Sequence, residues 1–231
     1  MELLEEAKEE FNCWLTPDRE ELLRKICYGL MFDSDQNILS EEICEQANED
    51  MFWWDYGADK FVFSIPTVEQ WVFKVPFLKK KYNGKKAYNH KDECCQEAKN
   101  YTRAKLKRVD CFFAETSFFK YLTPYEVDRS PIYIARNVDE YNRIPRVSRH
   151  SQKIRDHSNK LCKKYITSGT YQFYGEFPIC HLLEVGISDK KIDDLLSFLA
   201  KYKINDLHSG NYSLTNDGLV IWDYSGYDSK L

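Results

Sequence analysis

Three oxygen-bearing side chains near the end of the chain have the types and spacing for chemistry: Asp206, Asn211 and Asp223, in "INDLHSGNYSLTNDGLVIWDYSGYD", residues 204–228. The "TNDG" stretch at 215–218 is a hairpin signal, so "LVIWD" is expected to run back antiparallel to "NYSL". That folding returns Asp223, at the end of the second strand, towards Asn211 at the start of the first. An amide oxygen beside a carboxylate is a hard donor pair suited to Mg²⁺. Asp206 follows a helical stretch in a Gly-containing loop, where a carboxylate can orient or deprotonate a hydroxyl nucleophile. Asp and Asn also serve as ordinary turn formers, so the trio needs companions before it means catalysis.

Lys74 is the first companion. It interrupts the apolar run "WVFKVPF", and burying a lysine without a partner is costly. It reads as a phosphate-binding ammonium held by a carboxylate, or as a lysine snorkelling from an edge strand. Glu97, in the helical stretch that follows, is the candidate carboxylate, with Glu93 one turn earlier as its competitor. Either glutamate also fits an exposed ion pair with a neighbour such as Lys99 or Arg103.

The elements that must position these residues are marked by periodicity and caps. Residues 1–50 read as helical, with Leu4, Ala7, Phe11, Trp14 and Leu15 on one face. A second helix, "TPDREELLRKICYGLMF", opens with Thr16 as N-cap and Pro17 at its first position, and a third starts at Ser40. "FVFSIPTVEQWVFKVPF", residues 61–77, reads as a hairpin. A basic, Gly-containing loop then leads into the helix "NHKDECCQEAKNYTRAKLKR". Two strands follow, "CFFAETSFFKYLT" and "SPIYIARNV", joined by a turn at 124–129. A basic helix is expected over about 146–168 and another from Ser188, apolar at Ile192, Leu195, Leu196 and Leu199. The expected division is a helical extension at 1–50, a strand-rich lobe at 51–138 and a second lobe at 139–231, with the lobe boundary near Asn137 to Arg143.

With 231 residues, 43% of them apolar, the chain can bury a sizeable core and does not read as disordered. No apolar run approaches the roughly 20 residues of a membrane span. The N-terminus is acidic where a secretory signal is basic, so a soluble, cytoplasmic protein is expected. The eight cysteines lack a CxxC spacing and read as reduced, mostly buried thiols. Charge is segregated: residues 1–50 hold 15 acidic and 4 basic side chains, whereas 79–108 hold 11 basic and 3 acidic, and 143–164 hold 8 basic and 1 acidic. The basic stretches lack an RNA- or DNA-binding motif and aromatic interleaving, so they read as solvated faces and nucleic acid is not an expected partner.

Strand lysine, helix glutamate, D-L-x-x-x-N and a strand-end aspartate, in this order, resemble the protein-kinase-like superfamily. "INDLHSGN" aligns on the catalytic-loop pattern H-R-D-L-x-x-x-N, and "WDYSG" resembles the D-F-G segment, with Tyr224 in the phenylalanine position. The likeness covers roughly residues 52–228 and is stronger to small bacterial and phage kinase-like proteins and aminoglycoside-phosphotransferase relatives than to eukaryotic protein kinases. It implies an α+β, bilobal fold: an antiparallel-sheet N-lobe with one helix, and a minimal, mostly helical C-lobe. It implies that Lys74, paired with Glu97, holds the ATP phosphates, that Asp206 positions an acceptor hydroxyl, and that Asn211 and Asp223 bind Mg²⁺. The stretch "ARNVDEY" resembles the hinge and puts Arg136 and Val138 beside the nucleotide. The glycine-rich loop is reduced to Gly57 in "DYGADK", and Asn205 stands in the catalytic-loop arginine position. Eight residues follow Asp223, so the activation segment and later large-lobe helices are not expected. The N-terminal helices and the basic helix at 146–168 are then expected to stand in for that lobe's core. The function implied is ATP- and Mg²⁺-dependent phosphoryl transfer to a protein or small-molecule hydroxyl. A nucleotide-binding pseudokinase acting as an interaction module is the alternative, and AMP transfer a third reading.

Overall fold

The computed structural model describes residues 2–33, 36–82, 86–89, 91–123, 129–145, 150–165, 176–204 and 210–225. They form an α+β chain with seven α-helices among the described residues and sheets that are almost entirely antiparallel. Two compact units divide it: Met1–Ala98 with Thr116–Asn137, and Lys99–Glu115 with Val138–Leu231.

The first unit begins with α1 (Glu2–Trp14) and α2 (Pro17–Gly29). The side chain of Thr16 accepts from Arg19 N at 3.4 Å, which satisfies a helix-end donor and accounts for the start at Pro17. After β1 (Leu30–Asp33) and β2 (Gln36–Ile38) comes α3 (Glu41–Asp50), capped by Ser40. The chain then forms β3 (Trp53–Tyr56), β4 (Lys60–Ser64), β5 (Trp71–Pro76), β6 (Lys79–Tyr82), β7 (Lys86–Asn89) and α4 (Glu93–Lys107). The unit is completed by β8 (Thr116–Tyr121) and β9 (Pro131–Arg136).

Five strands in the order β3-β4-β5-β9-β8 make one antiparallel sheet, with β5 central and buried along its whole length. A central strand covered on both faces needs a near-continuous apolar run, and "WVFKVP" is one apart from Lys74. Phe11 of α1 packs on this sheet, its ring 4.4 Å from Phe73 and 5.4 Å from Phe119. Leu22, Leu23, Ile26 and Cys27 of α2 and Ile43 and Ala47 of α3 join the same core. The N-terminal helices therefore belong to the core of the first unit, and the expectation that they replace large-lobe core is corrected.

Two further expectations change here. "GLMF" was expected to continue α2, but Leu30–Asp33 is strand, paired parallel with β6 and antiparallel with β2. The basic stretch expected as a loop contains β6 and β7, paired from Lys79↔Asn89 to Tyr82↔Lys86. The β1–β6 pairing joins Leu30 to Lys80, far apart in the chain, so tertiary context overrides local preference there, whereas β2 and β7 pair with their neighbours in sequence.

The second unit contains a 3-10 turn at Asp110–Phe112, a second at Val138–Glu140, and β10 (Arg143–Ile144). It continues with α5 (Gln152–Cys162), α6 (Glu176–Glu184) and α7 (Asp189–Lys201). The hairpin of β11 (Tyr212–Thr215) and β12 (Gly218–Ile221) follows, with β10 beside β11. Ser151 and Ser188 cap α5 and α7 with their hydroxyl oxygens. Ile192, Leu195, Leu196 and Leu199 of α7 pack with Ile179 and Leu182 of α6 and with Leu214, Leu219 and Ile221 of the hairpin. The helix expected over 146–168 is shorter, since its described part is α5, and α6 was not anticipated.

None of the eight cysteines is in a disulfide; Cys27, Cys94, Cys162 and Cys180 are buried. Among the described residues, no helix is long and apolar enough to cross a membrane.

Candidate functional site

In the first unit, Lys74 points from the centre of β5 into the protein, with 7% of its side chain exposed. Its Nζ donates to Glu97 Oε2 at 2.6 Å, and Glu97 is fully buried. Glu97, rather than Glu93, is thus the carboxylate on Lys74. The sequence reading missed Lys60, whose ammonium donates to the other oxygen, Oε1, of the same glutamate. Its signal lay in the hairpin register: Val62 is opposite Lys74, so Lys60, two residues before Val62 on β4, shares Lys74's face. Two ammonium groups thus share one buried carboxylate, each on its own oxygen.

The start of α4 is tied to the same sheet. Asp92 Oδ1 accepts from Cys95 N at 2.8 Å, and its Oδ2 accepts from the Tyr133 hydroxyl at 2.6 Å. Tyr133 stands opposite Lys74 in the β5–β9 ladder. Helix and sheet are therefore pinned beside the lysine–glutamate pair, which sets the rotation that aims Glu97 inwards. Burial, and then the Asp92 carboxylate, push the Tyr133 hydroxyl well above the ordinary phenol range.

Gly57 lies in the β3–β4 turn, its N–H donating to Lys60 O at 3.1 Å. A Cβ there would meet nothing within 4 Å, so packing in the first unit does not require the glycine. Arg136 ends β9 with its guanidinium 5.3 Å from the Trp71 ring centre. Val138 opens the 3-10 turn at the head of the second unit's long segment.

In the second unit, β11 and β12 pair from Tyr212↔Ile221 to Thr215↔Gly218. Gly218 takes φ +145°, which side-chain-bearing residues rarely adopt, and this closes the turn. Trp222 N donates to Asn211 O at 3.1 Å, so Asn211 and Asp223 stand at one end of the hairpin. Asn211 is buried and Asp223 half-buried. Asp206 lies outside the described residues. Among the described residues, no group of three or more His, Cys, Asp or Glu side chains gathers as a metal-ligand cluster.

Tyr224, next to Asp223, is buried in the second core; its hydroxyl donates to Ala114 O at 2.7 Å and its ring meets Phe113 edge-on at 5.0 Å. Asn100 of α4 is also fully buried and donates to Tyr224 O at 2.8 Å. Sequence reasoning missed Asn100; its one signal was a polar residue on the helical turn after Glu97.

No protein-family model, no curated protein and no solved structure matches this chain.

Proposed function

We propose that the chain is an ATP- and Mg²⁺-dependent phosphotransferase of protein-kinase-like fold, acting on a hydroxyl of a protein or small molecule. The observation that carries this reading is the buried Lys74–Glu97 pair, joining the central strand of an antiparallel sheet to the one helix inserted before its last two strands. The Asn211–Asp223 hairpin end supports it. An amide oxygen and a carboxylate leave Mg²⁺ room for the water and phosphate oxygens it prefers to keep. Bound there, the cation supplies charge neutralisation on the transferring phosphoryl group.

In this reading Lys74 neutralises phosphate oxygens and Glu97 keeps its ammonium in place, with Lys60 on the other carboxylate oxygen. Gly57 leaves the β3–β4 turn without a side chain, so backbone can approach a phosphate. Arg136 and Val138 flank the adenine end. Asp206 holds the acceptor hydroxyl, a role that rests on its place in "NDLHSGN". Positioning and electrostatics provide most of the rate in phosphoryl transfer, so this residue set is sufficient.

Calorimetric titration of ATP with and without Mg²⁺, on wild type and on Asp223→Asn, tests the reading. Mg²⁺-dependent binding that the variant loses is expected, together with phosphate transfer or release that Asp206→Ala abolishes. Binding without any turnover would instead establish the pseudokinase alternative, and a mass gain of AMP on an acceptor would change the group transferred. Absence of ATP binding would overturn the proposal.

A further inference from the structure

We infer that Asn100 and the Tyr224 hydroxyl are positioning groups for Asp223, locking the backbone that carries it. The inference rests on the metal role proposed for Asp223. All the residues involved belong to the second unit.

Asp223 is bracketed on both sides. Before it, Ile221 O accepts from Ala114 N at 2.7 Å. After it, the Tyr224 hydroxyl donates to Ala114 O at 2.7 Å, so one residue holds both ends of the short stretch around Asp223. Asn100 adds a second clamp from α4. Its Nδ2 donates to Tyr224 O at 2.8 Å and reaches Ser225 O at 3.4 Å. Its Oδ1 accepts from Arg103 Nη1 at 2.9 Å, and the Arg103 guanidinium lies 4.9 Å from the Tyr202 ring centre. The amide orientation follows from these partners, because carbonyls take its N–H groups and the guanidinium takes its oxygen.

A backbone fixed in this way sets the direction of the Asp223 Cα–Cβ bond and so limits the positions its carboxylate can reach. Groups behind a metal ligand set its affinity because they hold the ligand in its binding orientation, and their loss weakens metal binding by about 10- to 100-fold. The Tyr224 hydroxyl, absent from a phenylalanine in this position, places one of these bonds within the second unit.

The test is calorimetric titration of ATP into the full chain across a series of Mg²⁺ concentrations, for wild type, Tyr224→Phe and Asn100→Ala. Tyr224→Phe keeps the ring and removes one oxygen, so it decides the matter if Asn100→Ala does not fold. The expected result is unchanged affinity for ATP without metal, and a Mg²⁺ requirement raised by about tenfold or more. A purely structural role would lower melting temperature and leave the Mg²⁺ requirement at the wild-type value, which would overturn the inference. Wild type showing no Mg²⁺-dependent binding would overturn the functional reading itself, and this inference with it.

Discussion

Glu97 is the shared acceptor of two ammonium groups in the first unit. It accepts from Lys74 on one oxygen and Lys60 on the other, with no solvent exposure of its own. Removing the shared carboxylate takes an ionic partner from both lysines, whereas removing one lysine leaves the other paired with Glu97. Glu97→Gln is therefore expected to destabilise the protein by about 3–5 kcal/mol. Lys60→Met should cost clearly less, since Lys74 still pairs with Glu97. Urea denaturation of both variants checks the order, and a Glu97→Gln protein as stable as wild type would show the cluster to be dispensable. The same comparison separates the lysines by function: Lys74→Met should abolish ATP binding, while Lys60→Met should weaken it.

At the scale of elements, the N-terminal helices act as the cover of a sheet. Trp14 Nε1 donates to Asp50 O at 3.1 Å, and Arg19 bonds both Trp14 O and the Asp50 carboxylate, tying α1, α2 and α3 together. Phe11 then inserts among Trp14, Phe63, Phe73 and Phe119. Truncating a fully buried phenylalanine removes its transfer energy and leaves a cavity. Phe11→Ala is expected to cost about 3–5 kcal/mol. Thermal unfolding of this variant, and of a chain starting at Phe52, checks the assignment. A stable, soluble protein without residues 1–51 would mean that the sheet does not need its helical cover.

At the scale of the whole molecule, both units bury acids that ionise only at high pH. In the first, burial raises the Cys94 thiol well above its ordinary value, and burial with Asp92 raises Tyr133. In the second, burial pushes Cys162 up to about 11 against a lowering hydrogen bond from Ser158, and raises Tyr101 with help from Glu115 and Asp110. A group whose folded value lies above its unfolded one binds its proton more tightly in the native state. Its contribution is complete below the unfolded value, about 8.5 for a thiol and about 10 for a phenol, and is lost as pH rises towards the folded one. The melting temperature is thus expected to fall by about 5 °C or more between pH 8 and pH 11. A flat profile across that range would contradict the burial of Cys94, Tyr133 and Cys162 and the half-burial of Tyr101.

What the chain determines by itself is what depends on neighbours in sequence. Thr16 before Pro17, the serines at 40 and 188, the α7 apolar spacing and the "TNDG" turn each act within a few residues. The helix starts and the return of Asp223 to the level of Asn211 were therefore legible. So was a buried lysine in "WVFKVPF" that needed a carboxylate. The choice of Glu97 over Glu93 was not legible, because it depends on the rotation of α4, set by Asp92 against Tyr133 across the sheet. Lys60 needed the β4–β5 register, and Asn100 needed to meet a carbonyl 124 residues away in sequence. Leu30–Asp33 and Lys79–Tyr82 also pair with each other, beyond their hairpin partners β2 and β7, and that long-range pairing was not legible. Caps, turns and periodicity are short-range energies that a sequence displays openly. Partners of buried charges and amides are selected by tertiary packing, because only the folded chain excludes water and makes those pairings necessary.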